Sequence, residues 1–92
     1  MPFMYILKCN DGSYYTGSTV DMIKRLAQHQ SGCGANHTKK HLPVELVFIQ
    51  QFERIDEAFN REKQVQRWTR KKKEALIDGR ENELPLLAKK KR

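Results

Sequence analysis

One stretch of the chain, FMYILKC from Phe3 to Cys9, is almost continuously apolar. A half-exposed strand alternates apolar and polar side chains, so an unbroken run of this length fits a strand covered on both faces. With 92 residues the chain suits one small domain with a thin core. This strand is therefore expected at the centre of its sheet. The turn Asn10-Asp11-Gly12 follows it, and SYYTGS reads as a second strand. Tyr14 and Tyr15 suit a pleated, half-buried surface. Gly17 does not, because glycine weakens a strand and often marks a close approach by a ligand or another part of the chain.

Two hairpin registers are open. A two-residue Asp11-Gly12 turn sets Asn10 against Ser13 and Tyr5 against Ser18, with Tyr15 opposite Lys8 and on the other side of the sheet from Tyr5. A three-residue Asn10-Asp11-Gly12 loop with Gly12 left-handed sets Cys9 against Ser13, Leu7 against Tyr15 and Tyr5 against Gly17. A slip of one residue moves every side chain to the opposite face. In the second register Tyr5, Leu7, Tyr15 and Gly17 share a face. Gly17 then leaves a notch opposite Tyr5, room for something that both phenols touch. Two tyrosines packing a small core is the alternative.

Beyond the hairpin, TVDMIKRLAQHQSG predicts a helix capped by Thr19 or Asp21 and stopped by Gly32. CGANHTKKHLP reads as a polar, basic loop and VELVFIQQF, residues 44–52, as a third strand. A long helix is expected from Asp56 to about Arg70, and a short one over KEALIDG, ended at Gly79. The order β-β-α-β-α-α describes an α+β domain over residues 1–80, with a basic tail over residues 81–92. The longest apolar run, Phe3 to Leu7, is far too short to span a bilayer. No charged region leads into an apolar one at the start, so a cytoplasmic protein is expected. Two cysteines give no disulfide framework.

The formal net charge is +7, and 13 of the 18 Lys and Arg residues lie from Arg54 onward. This balance points to a polyanionic partner, nucleic acid first. Within the long helix Ile55, Ala58, Phe59, Val65, Trp68 and Thr69 recur at helical spacing and define a buried stripe. Glu62 sits in the middle of that stripe. A carboxylate facing a core needs an ion-pair partner, for which Arg25 is available, or a metal. One carboxylate with waters and a substrate phosphate is a normal Mg²⁺ arrangement. Arg25 and His29 are four apart on the first helix, at the border of its apolar side. Arg25 offers a planar fork suited to phosphate, and His29 is a proton carrier near neutral pH. A boundary arginine and a surface histidine are the plain alternatives.

Taken together these residues resemble the GIY-YIG nuclease family. Met4-Tyr5-Ile6 is similar to its first motif and Tyr15-Thr16-Gly17 to its second. The pattern continues through Ser18, Thr19, Asp21, Arg25, Leu26 and His29 to the helical Glu62. The resemblance covers roughly residues 3–78, in the manner of a small stand-alone bacterial branch. Met4 replaces the family's glycine, and Thr16 its isoleucine or valine. Ser18 stands where some members carry lysine, and Asn82 is the one late candidate for an asparagine found in several. The resemblance implies a three-stranded antiparallel sheet flanked by helices, with the site on one face. It favours the three-residue turn, which brings Tyr5 and Tyr15 together. It implies metal-dependent phosphodiester hydrolysis with Mg²⁺ or Mn²⁺ on Glu62, Arg25 on the phosphoryl oxygens, Tyr5 on the attacking water, Tyr15 on water or phosphate, and His29 passing the proton onward.

DNA is the expected substrate, with RNA left open. Lys24, Lys39, Lys40, Arg67, Arg70 and Lys71 are the expected phosphate contacts. No further domain for sequence recognition is expected, which favours selection by shape or a protein partner for targeting; oligomeric state is not readable. Two rival readings stand beside the nuclease. One is a non-catalytic nucleic-acid binder using the same basic surface, with Trp68 as a stacking ring or, more in keeping with its stripe, a core residue. The other is a structural metal site from Cys33, His37 and His41, with Cys9 as a fourth ligand.

Overall fold

The computed structural model describes residues 1–79. Its elements run β1 (Phe3–Lys8), β2 (Tyr14–Thr19), α1 (Met22–Gln30), α2 (Asn36–Lys40), β3 (Glu45–Gln51), α3 (Ile55–Gln66) and α4 (Arg70–Ile77). The sheet is antiparallel in the order β2-β1-β3, so the apolar run is the central strand. Both of its faces are covered, as four consecutive buried residues in β1 require. Asn82, the boundary at residue 80 and the basic tail lie outside the described residues.

The hairpin takes the three-residue register. The Cys9 N–H donates to Ser13 O at 2.8 Å, and the Gly12 N–H to Cys9 O at 2.9 Å. Gly12 has φ +85°, a left-handed conformation that a side chain would resist. Asp11 fixes the corner by accepting from both the Ser13 N–H and the Ser13 hydroxyl. Tyr5 therefore pairs with Gly17 and Leu7 with Tyr15. Between β1 and β3 the register slips at Ile6/Leu7. The bulge lets both Val47 and Phe48 reach the cluster around Met4 and Ile6, while Leu46 reaches the other face.

The two faces of β1 build two cores. Met4 and Ile6 pack with Val65 of α3 and Leu76 of α4, and Trp68 lies half-buried against them. Leu7 packs with Cys9 and Val44, against Leu26 of α1 and Tyr15. Glycine at position 32, with φ +83°, follows α1 as expected, and Asp21 rather than Thr19 caps its start by accepting from the Lys24 N–H at 3.0 Å.

Two expectations need correction. The loop after α1 contains a helical turn, α2, so the order is β-β-α-α-β-α-α. Five residues without an apolar repeat leave no periodic trace; α2 stands because Thr38 is fully buried. The long helix ends at Gln66 instead of Arg70, and the last helix begins at Arg70. Thr69, assigned to the buried stripe, is exposed and caps α4 by accepting from the Lys72 N–H. Trp68, at the break, fills the space between the two helices and the sheet. The stripe itself is buried at Ala58 and Val65, whereas Ile55 and Phe59 stay 44% and 47% exposed.

Candidate active site

On the α1 side of the sheet, Tyr5, Tyr15, Arg25 and His29 converge. Tyr5 is fully buried, and its ring lies across the backbone of Gly17. A Cβ on Gly17 would sit 2.5 Å from Tyr5 Oη and 2.6 Å from its Cζ. Thus Gly17 does not leave an open notch between two phenols; Tyr5 itself occupies that space. Tyr15 remains partly exposed, its ring centroid 6.4 Å from that of Tyr5 and 5.2 Å from that of His29.

His29 is fully buried, which corrects the expectation of a border or surface residue. Its position seven residues after Met22 places it on the inward side of α1, and Gly34 seals it. A methyl group on Gly34 would collide with His29 Nδ1. Both ring nitrogens have partners. Nε2 lies 2.8 Å from Tyr5 Oη and Nδ1 2.8 Å from Thr38 Oγ1. The Thr38 hydroxyl donates its only proton to Ala35 O at 2.9 Å. It can therefore only accept from His29, which assigns the proton to Nδ1. Nε2 is left as an acceptor, and the Tyr5 hydroxyl donates to it. A directed chain runs from Tyr5 through His29 and Thr38 to the Ala35 carbonyl. Thr38 was not among the expected residues; it becomes relevant only once α2 folds beneath α1.

Arg25 closes the cluster from above. Its Nε donates to Tyr5 Oη at 3.4 Å and its Nη1 to Gln28 Oε1 at 3.2 Å. The contact with Tyr5 strengthens the hold of the guanidinium on its charge. Burial pushes the Tyr5 phenol above its ordinary value, and the Arg25 contact only partly opposes this. Burial, then the charge of Arg25, lowers His29 from 6.5 to about 4. At neutral pH the centre is therefore a neutral phenol donating to a neutral imidazole, beside a fixed cation.

Glu62 is not in hydrogen-bond contact with this cluster and makes no ion pair with Arg25. It stands on the α3 side, beyond β2. Ser18 Oγ donates to its Oε1 at 2.6 Å and Gln66 Nε2 to its Oε2 at 2.7 Å. It remains close enough to Tyr5 for its charge to act on the phenol. Each carboxylate oxygen is oriented by one neutral donor and retains further acceptor capacity. That donor set fits a hard divalent cation that keeps several waters and takes a substrate phosphate.

Among the expected phosphate contacts, Lys24, Lys39, Lys40, Arg67 and Lys71 are exposed. Arg70 is engaged within the protein. It donates to Gly12 O at 2.7 Å, pairs with Glu74 at 3.2 Å and covers the Tyr14 ring at 4.6 Å. An open groove lined by Lys63, Gln64, Arg67 and Trp68 lies at the α3 end, on the other face from the tyrosines. Arg61 and Lys72 flank the Trp68 ring. The four expected metal ligands do not assemble as a set: Cys33 is exposed, whereas Cys9 and His37 come close to Asp11.

The profile of the GIY-YIG catalytic domain matches residues 1–75. A UPF0213 protein of Streptococcus pneumoniae is 47% identical over 75 residues, 82% of this chain and 76% of that protein. The UPF0213 protein YazA of Bacillus subtilis is 44% identical over 80 residues, 87% of this chain and 81% of its own. The solution NMR structure of a UPF0213 protein from Bacillus halodurans superposes with a TM-score of 0.55 at 42% identity, covering 85% of this chain and 84% of that one. No helix of the described residues is long and apolar enough to cross a membrane.

Two outcomes follow from this packing. Gly17→Ala should destabilise the domain by about 1–3 kcal/mol in urea unfolding, because Tyr5 must leave its place. Stability should also fall with pH in a defined window. The unfolded chain protonates His29 near 6.5, whereas the folded chain resists until about 4. The contribution is complete above pH 6.5 and declines toward pH 4, by up to ~1.4 kcal/mol per pH unit. His29→Gln should flatten that part of a stability–pH curve.

Proposed function

The chain belongs to the GIY-YIG catalytic-domain family, and from that premise we propose that it is a divalent-metal-dependent endonuclease that hydrolyses phosphodiester bonds in DNA, selecting by shape, with repair or recombination intermediates as natural targets. The observation that carries this reading is the directed hydrogen bond from Tyr5 to a buried, neutral His29. A phenol raised by burial is not a phenolate at neutral pH, so Tyr5 alone is a weak base. With its proton already aimed at His29 Nε2, its oxygen can accept a proton from water as it passes its own to the imidazole. His29 is uncharged at neutral pH and can receive it. Thr38 keeps the acceptor nitrogen facing Tyr5. Arg25 lies against the same oxygen and supplies fixed positive charge where phosphoryl oxygens gain negative charge. Tyr15, partly exposed beside this pair, would donate to the water or the phosphate.

Glu62 is the residue that would hold Mg²⁺ or Mn²⁺, with Ser18 and Gln66 orienting its oxygens. When bound, that ion polarises the phosphate and stabilises the leaving oxygen. The exposed Lys24, Lys39, Lys40, Arg67 and Lys71 would contact the phosphate backbone without reading sequence. RNA would satisfy the same contacts, and a protein partner would supply any further targeting.

The test is a panel of labelled duplex, single-stranded, flapped and branched DNA, with an RNA counterpart, in Mg²⁺, Mn²⁺ or EDTA. Wild type should cut at least one substrate in a metal-dependent manner. Tyr5→Phe should lower the rate by about 10²–10⁴-fold, and Glu62→Gln should bind without cutting. A Tyr5→Phe protein with full activity would sink the role given to Tyr5. Salt-sensitive binding by all three proteins, with no cutting of any substrate, would replace the nuclease by a binding module.

A further inference from the structure

A second cluster of chemically active side chains lies at the opposite end of the hairpin from Gly17. Cys9 follows β1, Asp11 is in the turn, and His37 is in α2. One ligand atom from each lies within 4.8 Å of the others. His41 extends the group. Its Nδ1 is 3.5 Å from Asp11 Oδ2, and its ring centroid is 4.9 Å from that of His37. The two segments are already fixed to each other by backbone. The Asn10 N–H donates to His41 O at 2.8 Å, and Asn10 Nδ2 donates to Leu42 O at 2.8 Å.

We propose that Cys9, Asp11 and His37 form a binding site for a zinc-like transition-metal ion, with His41 at the far oxygen of Asp11. A sulfur, an imidazole nitrogen and a carboxylate oxygen are the donor types zinc takes in tetrahedral sites. Thiolate and imidazole favour Zn²⁺ over the hard Mg²⁺ that a lone carboxylate such as Glu62 suits. The two sites thus differ in chemistry and do not compete for one ion. Ligating carboxylates are commonly hydrogen-bonded by outer groups, as Asp11 is by Ser13 on one oxygen and His41 on the other. On binding, the Cys9 thiol releases its proton to solvent as the S–metal bond forms.

The site has a structural consequence. α2 has five residues and no side-chain hydrogen bond at its N-cap. So short a helix has little stability of its own. Ser13 Oγ of the turn already lies 2.7 Å from His37 Nε2, and the metal would add a second, stronger join there. The next residue, Thr38, sets the tautomer of His29. A bound ion would therefore secure α2 without entering the phosphate site, and the proposal stands whether or not the chain cleaves nucleic acid.

The experiment uses metal-free full chain and no nucleic acid. Zn²⁺ is titrated against a competing chelator, Co²⁺ is followed by its thiolate-to-metal charge-transfer band, and Tm is read in both. Wild type should bind one ion, show the band, and gain on the order of 10 °C in Tm at a hundredfold excess over Kd. His37→Ala and Cys9→Ser should lose the band and at least about tenfold in affinity, and Cys33→Ser should keep both. His37 is exposed, so its variant retains the fold and carries the test even if Cys9→Ser does not. Wild type with neither band nor Tm gain, binding that survives His37→Ala, or binding that depends on Cys33 would each overturn the proposal.

Discussion

The hydrogen bond between Tyr5 Oη and His29 Nε2 sets the terms for the rest of the domain. A phenol and an imidazole are brought into the interior, and both must be satisfied there. Satisfying them fixes the local sequence. Position 17 must be glycine, because the Tyr5 ring occupies the space of its side chain. Position 34 must be glycine, because the chain crosses His29 there. α2 must deliver Thr38 to the second imidazole nitrogen. The hairpin must turn in three residues, since the two-residue alternative would send Tyr5 and Tyr15 to opposite faces.

The electrostatics follow from that burial. Arg25 adds a permanent cation to two neutral aromatic groups, so protonating His29 is costly until a negatively charged ligand arrives. The site therefore holds His29 uncharged at neutral pH beside the fixed charge of Arg25. Glu62 enters from the other side of the edge strand, held by Ser18 and Gln66. From there its charge is felt at Tyr5, and it makes no ion pair with Arg25. Separation of the carboxylate from the guanidinium leaves neither neutralised by the other, as the proposed reaction requires.

Much of this was legible in the chain. An unbroken apolar run identified the central strand; the Asn10-Asp11-Gly12 turn left two registers open, and the family resemblance favoured the one the hairpin takes. Gly32 bounded α1 at its end, while its cap was narrowed to Thr19 or Asp21. Other features depended on contacts distant in sequence. The inward position of His29 was present in its spacing from Met22 and Leu26, but its burial depends on Gly34 and Thr38. Helix α2 carries no periodic signal, so Thr38 could not be found. Thr69 fits both the apolar stripe of α3 and the cap of α4, and packing of Trp68 chose the cap. Cys33, His37 and His41 have a ligand-like spacing, yet the fold gathers His37 and His41 with Cys9 and Asp11 and leaves Cys33 outside.

The central claim is the state of His29, and nitrogen-15 NMR of the imidazole reads it directly. At neutral pH the spectrum should show a neutral ring with its proton on Nδ1 and a bare, hydrogen-bonded Nε2, unchanged until the pH approaches about 4. A proton on Nε2, or a titration near the ordinary 6.5, would contradict the account, because Tyr5 would then have no acceptor prepared for its proton.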